Sequence, residues 1–134
     1  MATVPLISDD AASAEVLAVF DDIRTTRDTD FINNFWRALA NDPVLLAATW
    51  DRLKVAMGPG TLDPLVKEMI YIAVSTANGC EYCVHSHTAA ASAKGMTSDQ
   101  HGELLSVIGM AMQTNGLVTG LQVPVDDAFR KVHT

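Results

Sequence analysis

Basic residues are scarce in this chain: nine Lys and Arg stand against sixteen Asp and Glu, a formal net charge of −7. An acidic surface repels phosphate backbones and anionic headgroups, so neither nucleic acid nor a membrane surface is expected as a partner. Long apolar runs are missing too. No stretch of eighteen apolar residues occurs, which leaves no candidate transmembrane helix. Residues 1–16 lack the basic start and continuous apolar centre of a secretory signal. Also absent are an internal repeat, a low-complexity tract, a glycine-rich phosphate loop and the alternation that marks strands. Cysteine is rare, two in 134 residues. The simplest expected location is cytoplasmic, where two cysteines point to catalysis or metal binding rather than a static cross-link.

What is present is helical spacing. Apolar residues make up 49% of the chain, enough for one domain over residues 1–134 with a real core. The pattern predicts an all-α, single-domain bundle of about six helices. Residues 1–7 read as an extended arm that can pack on a neighbour. Ser8 to Asp10 offer caps for a helix over about 11–25, with Val16, Leu17, Val19, Phe20 and Ile23 on its buried stripe. A polar loop at 25–30 leads to Asp30, which can cap a short helix carrying Phe31, Ile32, Phe35, Trp36 and Leu39. That cluster reads first as core, and Phe35 and Trp36 are also candidate apolar walls for a substrate pocket. Asn41-Asp42-Pro43 opens the next helix, with Leu45, Leu46, Thr49, Trp50, Leu53 and Met57 in phase; Gly58-Pro59-Gly60 closes it. Thr97 and Gln100 fit a capping box for a helix that is apolar almost all round from Leu104 to Met112. Such a pattern asks for burial on several sides, and subunit contact is one way to supply it. The chain after Gln122 reads as a surface extension, and His101 and His133 as surface residues.

The chemistry-bearing residues gather between Glu68 and His87. Asp63 and Pro64 open a helix whose apolar face is Leu65, Val66, Met69, Ile70, Ile72 and Ala73, and Asn78-Gly79 stops it. A second helix begins near Cys80 and runs to Gly95, completing a central helical hairpin that carries the C-x-x-C. At about 100° per residue, Cys80, Cys83 and His87 share one narrow face, while His85 lies on the far side. His87 can therefore bond Cys83 one turn away, and His85 cannot. Cysteines at a helix start are primed as thiolates by unpaired N–H groups and the positive helix end. In an antiparallel pair Glu68 lies roughly three turns from the bend, so it faces His87 rather than Cys80. Its apolar neighbours predict partial burial and a raised pKa suited to proton transfer.

Glu68, Cys80, Cys83 and His87 together resemble the E-x11-C-x2-C-x3-H signature of the alkylhydroperoxidase D-like group in the carboxymuconolactone decarboxylase superfamily. The similarity extends from about residue 31 beyond residue 97. It implies an all-helical subunit that assembles as trimers or hexamers, with thiol peroxidase or dithiol–disulfide activity. Members with true lactone decarboxylase activity lack the cysteine pair, so this sequence departs from that branch.

The expected function is a peroxidase that reduces hydroperoxides through a Cys80–Cys83 dithiol–disulfide cycle, with no cofactor and no metal. Cys83 is the expected attacking thiolate, Cys80 the resolving sulfur, and Glu68 with His87 the proton relay. Tyr82, between the cysteines, is a further pocket candidate. By resemblance, the reductant is a lipoyl-bearing or thioredoxin-like protein. Two other readings stand beside this one. The first is a redox-responsive or exchange protein with little turnover. The second is a structural zinc protein using Cys80, Cys83, His87 and Glu68, for which no second cysteine pair or distant histidine pair speaks.

Overall fold

Seven α-helices and one 3-10 turn make up the regular structure of the computed structural model, which describes residues 1–130. No strand occurs among the described residues, so the chain is all-α. His133 lies outside the described residues. The chain divides into two compact units, Met1–Pro59 and the segment from Gly60 onward.

In the first unit the 3-10 turn Asp9–Ala11 precedes α1 (Ala14–Arg27), followed by α2 (Asn34–Leu39) and α3 (Pro43–Met57). The cap of α1 is Ser13, whose hydroxyl accepts the Val16 N–H at 3.3 Å, and not Ser8 to Asp10 as the sequence suggested. Asp9 is engaged elsewhere, in ion pairs with Arg24 and Arg37. The amino-terminal arm is tied within its own chain: Ile7 N–H donates to the Arg37 carbonyl at 3.1 Å, and Arg37 Nη1 returns a bond to the Ile7 carbonyl at 2.8 Å. The expected loop at 25–30 begins later, because α1 continues to Arg27 and stops at Asp28 in the left-handed region (φ 50°). Thr29 then takes the Phe31 N–H, and α2 starts after Asn33 rather than Asp30. Phe31 is left exposed, against its expected place in the buried cluster. Asp42 caps α3 as expected, accepting from Val44 and Leu45 at 3.1 and 3.0 Å. The core is Val16, Phe20, Ile23, Ile32, Trp36, Ala40, Leu46 and Trp50. Each fully buried large side chain there contributes about 1.5–3 kcal/mol.

The second unit holds α4 (Pro64–Ala77), α5 (Glu81–Ala93), α6 (Ser98–Gly120) and the short α7 (Asp127–Arg130). The last of these is the helix beyond the expected six. It lies in the tail read as an extension, its ends joined by an Arg130–Asp127 pair at 3.8 Å. Both α4 and α5 end in the same way. Gly79 (φ 67°) donates to the Thr76 carbonyl and Cys80 N–H to the Ser75 carbonyl; Gly95 (φ 94°) donates to Ser92 and Met96 N–H to Ala91. These paired bonds are Schellman motifs, which need a residue free to adopt positive φ and so select glycine. Thr97 and Gln100 make the expected capping box, with bonds of 3.1 and 2.9 Å. Ile72, Ala91, Met96 and Ile108 form the core, with Leu65, Met69, Ala73 and Leu104 packed on it. On α6 only Ile108 is buried within the single chain; Leu105, Val107, Met110 and Met112 are exposed.

Candidate functional site

Helical register builds the site from two facing stripes. On α4, Glu68, Tyr71, Ile72 and Ser75 recur at spacings of three and four; on α5 and its C-cap, Cys83, His87, Ala91 and Lys94 do the same. Glu68 Oε2 lies 2.7 Å from His87 Nδ1, and Lys94 Nζ donates to Glu68 Oε1 at 3.0 Å. The Glu68 side chain is only 7% exposed. With both oxygens engaged, the buried carboxylate has the partners its charge requires. Burial alone would raise its pKa, but the bonds from His87 and Lys94 outweigh that and hold it below the ordinary carboxylate value. The raised pKa expected from apolar neighbours is therefore corrected: His87 and then Lys94, the latter 26 residues away, together reverse the sign.

The His87 ring stacks on Tyr71, centroids 3.6 Å apart and planes 19° apart. With Nδ1 held by Glu68 on one side and a ring on its face, the imidazole is oriented and its Nε2 is the nitrogen left for other work. The Tyr71 phenol is pushed up by burial and then by the negative charges of Cys83, Cys80 and Glu68. His85 is exposed.

Cys80 joins the two helices. Its amide completes the end of α4 through the 2.9 Å bond to Ser75, and the residue is the cap position of α5. The two cysteines approach to 2.9 Å and are free, not disulfide-bonded. Cys80 makes no side-chain cap bond of the ordinary geometry. The Cys83 thiol and, next, its backbone N–H nevertheless lie close enough to hold the Cys80 pKa below the usual thiol value. Cys83 is pushed up to about 11 by burial and by the neighbouring Cys80, with the Ser75 hydroxyl pulling the other way. In the resting pair the charge thus favours Cys80 and the proton Cys83. The spacing argument had favoured Cys83 as thiolate through His87; the electrostatics weigh toward Cys80 instead.

Of the other expected residues, Tyr82 is exposed beside the cysteines. Trp36 is buried in the first unit's core, edge-on to Trp50 with centroids 5.4 Å apart, and Phe35 is partly exposed on α2. Tyr71, Ser75 and Lys94 were not anticipated. Tyr71 and Ser75 were within reach of the same wheel that separated His85 from His87, three and seven residues from Glu68. Among the described residues no group of three or more His, Cys, Asp and Glu is arranged to hold a metal ion. No described helix is long and apolar enough to cross a membrane.

This geometry has relatives. The chain is similar to an uncharacterized protein of Cupriavidus necator, 32% identical over 82 residues that make up 61% of this chain and 73% of that protein. It is similar throughout to the crystal structure of the alkylhydroperoxidase AhpD core from Rhodospirillum rubrum. The two are 62% identical with a TM-score of 0.95, over 98% of this chain and 99% of the other. The fold is accordingly AhpD-like. The carboxymuconolactone decarboxylase family model matches residues 43–125, which include both stripes of the site, and the chain belongs to that family.

Proposed function

We infer that the protein is a thiol-dependent peroxidase that reduces hydroperoxides with the Cys80–Cys83 pair. The observation that carries this reading is the pairing of two free cysteines 2.9 Å apart with a Glu68–His87 bond of 2.7 Å on the same two helices. The likeness to an alkylhydroperoxidase core supports it.

Cys83 thiolate attacks the terminal oxygen of ROOH, the O–O bond breaks, and RO⁻ leaves with a proton delivered through His87, giving ROH and a Cys83 sulfenic acid. Its proton before attack passes to Cys80, the adjacent thiolate. Cys80 then attacks the sulfenic sulfur, releasing water and closing the disulfide. A partner dithiol attacks the more exposed Cys80 sulfur and restores the pair by exchange. Glu68 serves as a fixed anion that holds His87 in one tautomer and steadies its charged form. A second reading exchanges the sulfurs, and the lowered pKa of Cys80 favours it.

By the family resemblance, the reductant is a lipoyl-bearing or thioredoxin-like protein and the working form a trimer or hexamer. A reducing compartment, the cytoplasm, suits a pair that must return to the dithiol. The test is thiol titration under argon before and after one equivalent of cumene hydroperoxide. Loss of two thiols per chain, restored by a dithiol, is expected; two thiols surviving excess peroxide would refute the reading. Dimedone trapping separates the sulfurs. An adduct on Cys83 in Cys80→Ser supports the first order, and an adduct on Cys80 in Cys83→Ser alone reverses it.

A further inference from the structure

We propose that Lys94 is a positioning residue of this site: by gripping Oε1 of Glu68 it fixes the carboxylate so that Oε2 holds the His87 ring. The proposal rests on the peroxidase reading for its catalytic meaning, and on geometry for its substance. Lys94 Nζ lies 3.0 Å from Oε1 while His87 Nδ1 lies 2.7 Å from Oε2. The carboxylate is thus bridged between a permanent cation and an imidazole. The lysine is well placed to do this because its backbone is not free. Lys94 is the last residue of the α5 end, its N–H bonded to the Ala90 and Ala91 carbonyls. Gly95 and Met96 lock the following turn, with Met96 buried in the core against Ala91. From that anchor the four-carbon stem reaches back along α5 to a carboxylate two turns up. The side chain stays 40% exposed against 7% for Glu68, so the cation keeps part of its water while the anion gives up nearly all of its own.

The consequence is electrostatic. A buried carboxylate beside a histidine alone would share one proton with it and could sit as neutral acid and neutral base. A lysine on the second oxygen keeps the carboxylate ionised, so Oε2 remains an acceptor for His87 Nδ1–H at lower pH than the Glu–His pair could hold by itself. The titratable groups around Glu68 are His87 and Lys94 from α5, with Cys80 and Cys83 at that helix's start, and Tyr71 on its own helix. From α6, which also packs on α4, Leu104 and Ile108 join the shared core, and its titratable residues are Asp99, His101 and Glu103.

The test compares wild type, Lys94→Gln, Lys94→Arg and Glu68→Gln, all shown by thermal melting to be folded. Two quantities are read: the pH profile of single-turnover thiol oxidation by cumene hydroperoxide, and the titration of the Glu68 carboxyl by carbon-detected NMR. In Lys94→Gln the Glu68 midpoint should rise and the acid limb of the rate should move up by about one pH unit, a roughly tenfold loss on that limb. Lys94→Arg should restore both, since it keeps the cation. An unmoved Glu68 midpoint and limb in Lys94→Gln would overturn the proposal, as would an equal shift in Lys94→Arg. If the midpoint moves but the wild-type thiols survive excess cumene hydroperoxide, the grip stands and the peroxidase reading fails instead.

Discussion

Tyr71 lies flat on His87, ring centroids 3.6 Å apart, on the same imidazole whose Nδ1 is held by Glu68. A ring fixed from an edge and a face has little freedom to turn. Tyr71→Phe keeps the face and should leave peroxide reduction near the wild-type rate. Tyr71→Leu removes it and should slow the reaction by about 5-fold, the equivalent of the ~1 kcal/mol typical of an aromatic pair. Single-turnover kinetics of the two variants checks this; a Phe variant as slow as the Leu variant would mean that the phenol, not the stack, matters.

The Glu68–His87 bond sets the second expectation. Glu68→Gln and His87→Asn should each slow peroxide consumption by about 10²-fold or more, the scale of general acid–base residues. His85, exposed on the opposite side of α5, should tolerate Asn with no change. Equal losses at His85 and His87 would mean that the roles are wrongly assigned.

Alkaline stability is the third. Cys83 has its pKa raised to about 11 in the folded chain, so folding favours its protonated form. Its contribution is complete below the ordinary thiol value near 8.5 and is lost as pH rises through about 11. Cys80 runs the opposite way, its contribution present above the ordinary thiol value and lost as pH falls through the lowered one. Tyr71, also raised, adds to the alkaline loss. Melting temperatures under reducing conditions should therefore fall between about pH 9 and 11, and fall less in Cys83→Ala. An identical decline in both proteins would show that Cys83 takes no part.

Assembly is the fourth. Val107 and Met110 on α6 and Val66, Ile70 and Val74 on α4 are exposed in the single chain. Exposed apolar side chains gathered on helix faces are a mark of subunit contact. Sedimentation velocity at micromolar concentration should show an oligomer, and Met110→Glu should weaken it. A wild-type monomer at that concentration would contradict the expectation.

Where the sequence could be read, short-range rules carried the reading. Asp42-Pro43, Asp63-Pro64 and the Thr97/Gln100 box are local signals, and each caps the helix it announced. Facing positions on two successive helices followed from turn counting, which is how Glu68 was set opposite His87. Distant partners escaped. Asp9 could not be seen as an ion-pair residue, because Arg24 and Arg37 are 15 and 28 residues away; the start of α1 was misread with it. The sign of the Glu68 shift was missed in part for the same reason, since nothing local announces Lys94, the partner that joins His87 on the carboxylate. Phe31 shows the limit of apolar periodicity, which marks a face without saying where a helix begins.

Cys80 spends its amide on closing α4 and its position on opening α5. A sulfur so mounted can move by rotating its own side chain, but its main chain is held from both directions. Converting the dithiol to a disulfide therefore asks little of the fold around it. What changes is the loss of a negative charge and of two hydrogen-bonding sulfurs at one helix start. A partner that tells the oxidised protein from the reduced one can therefore read the difference at that helix start.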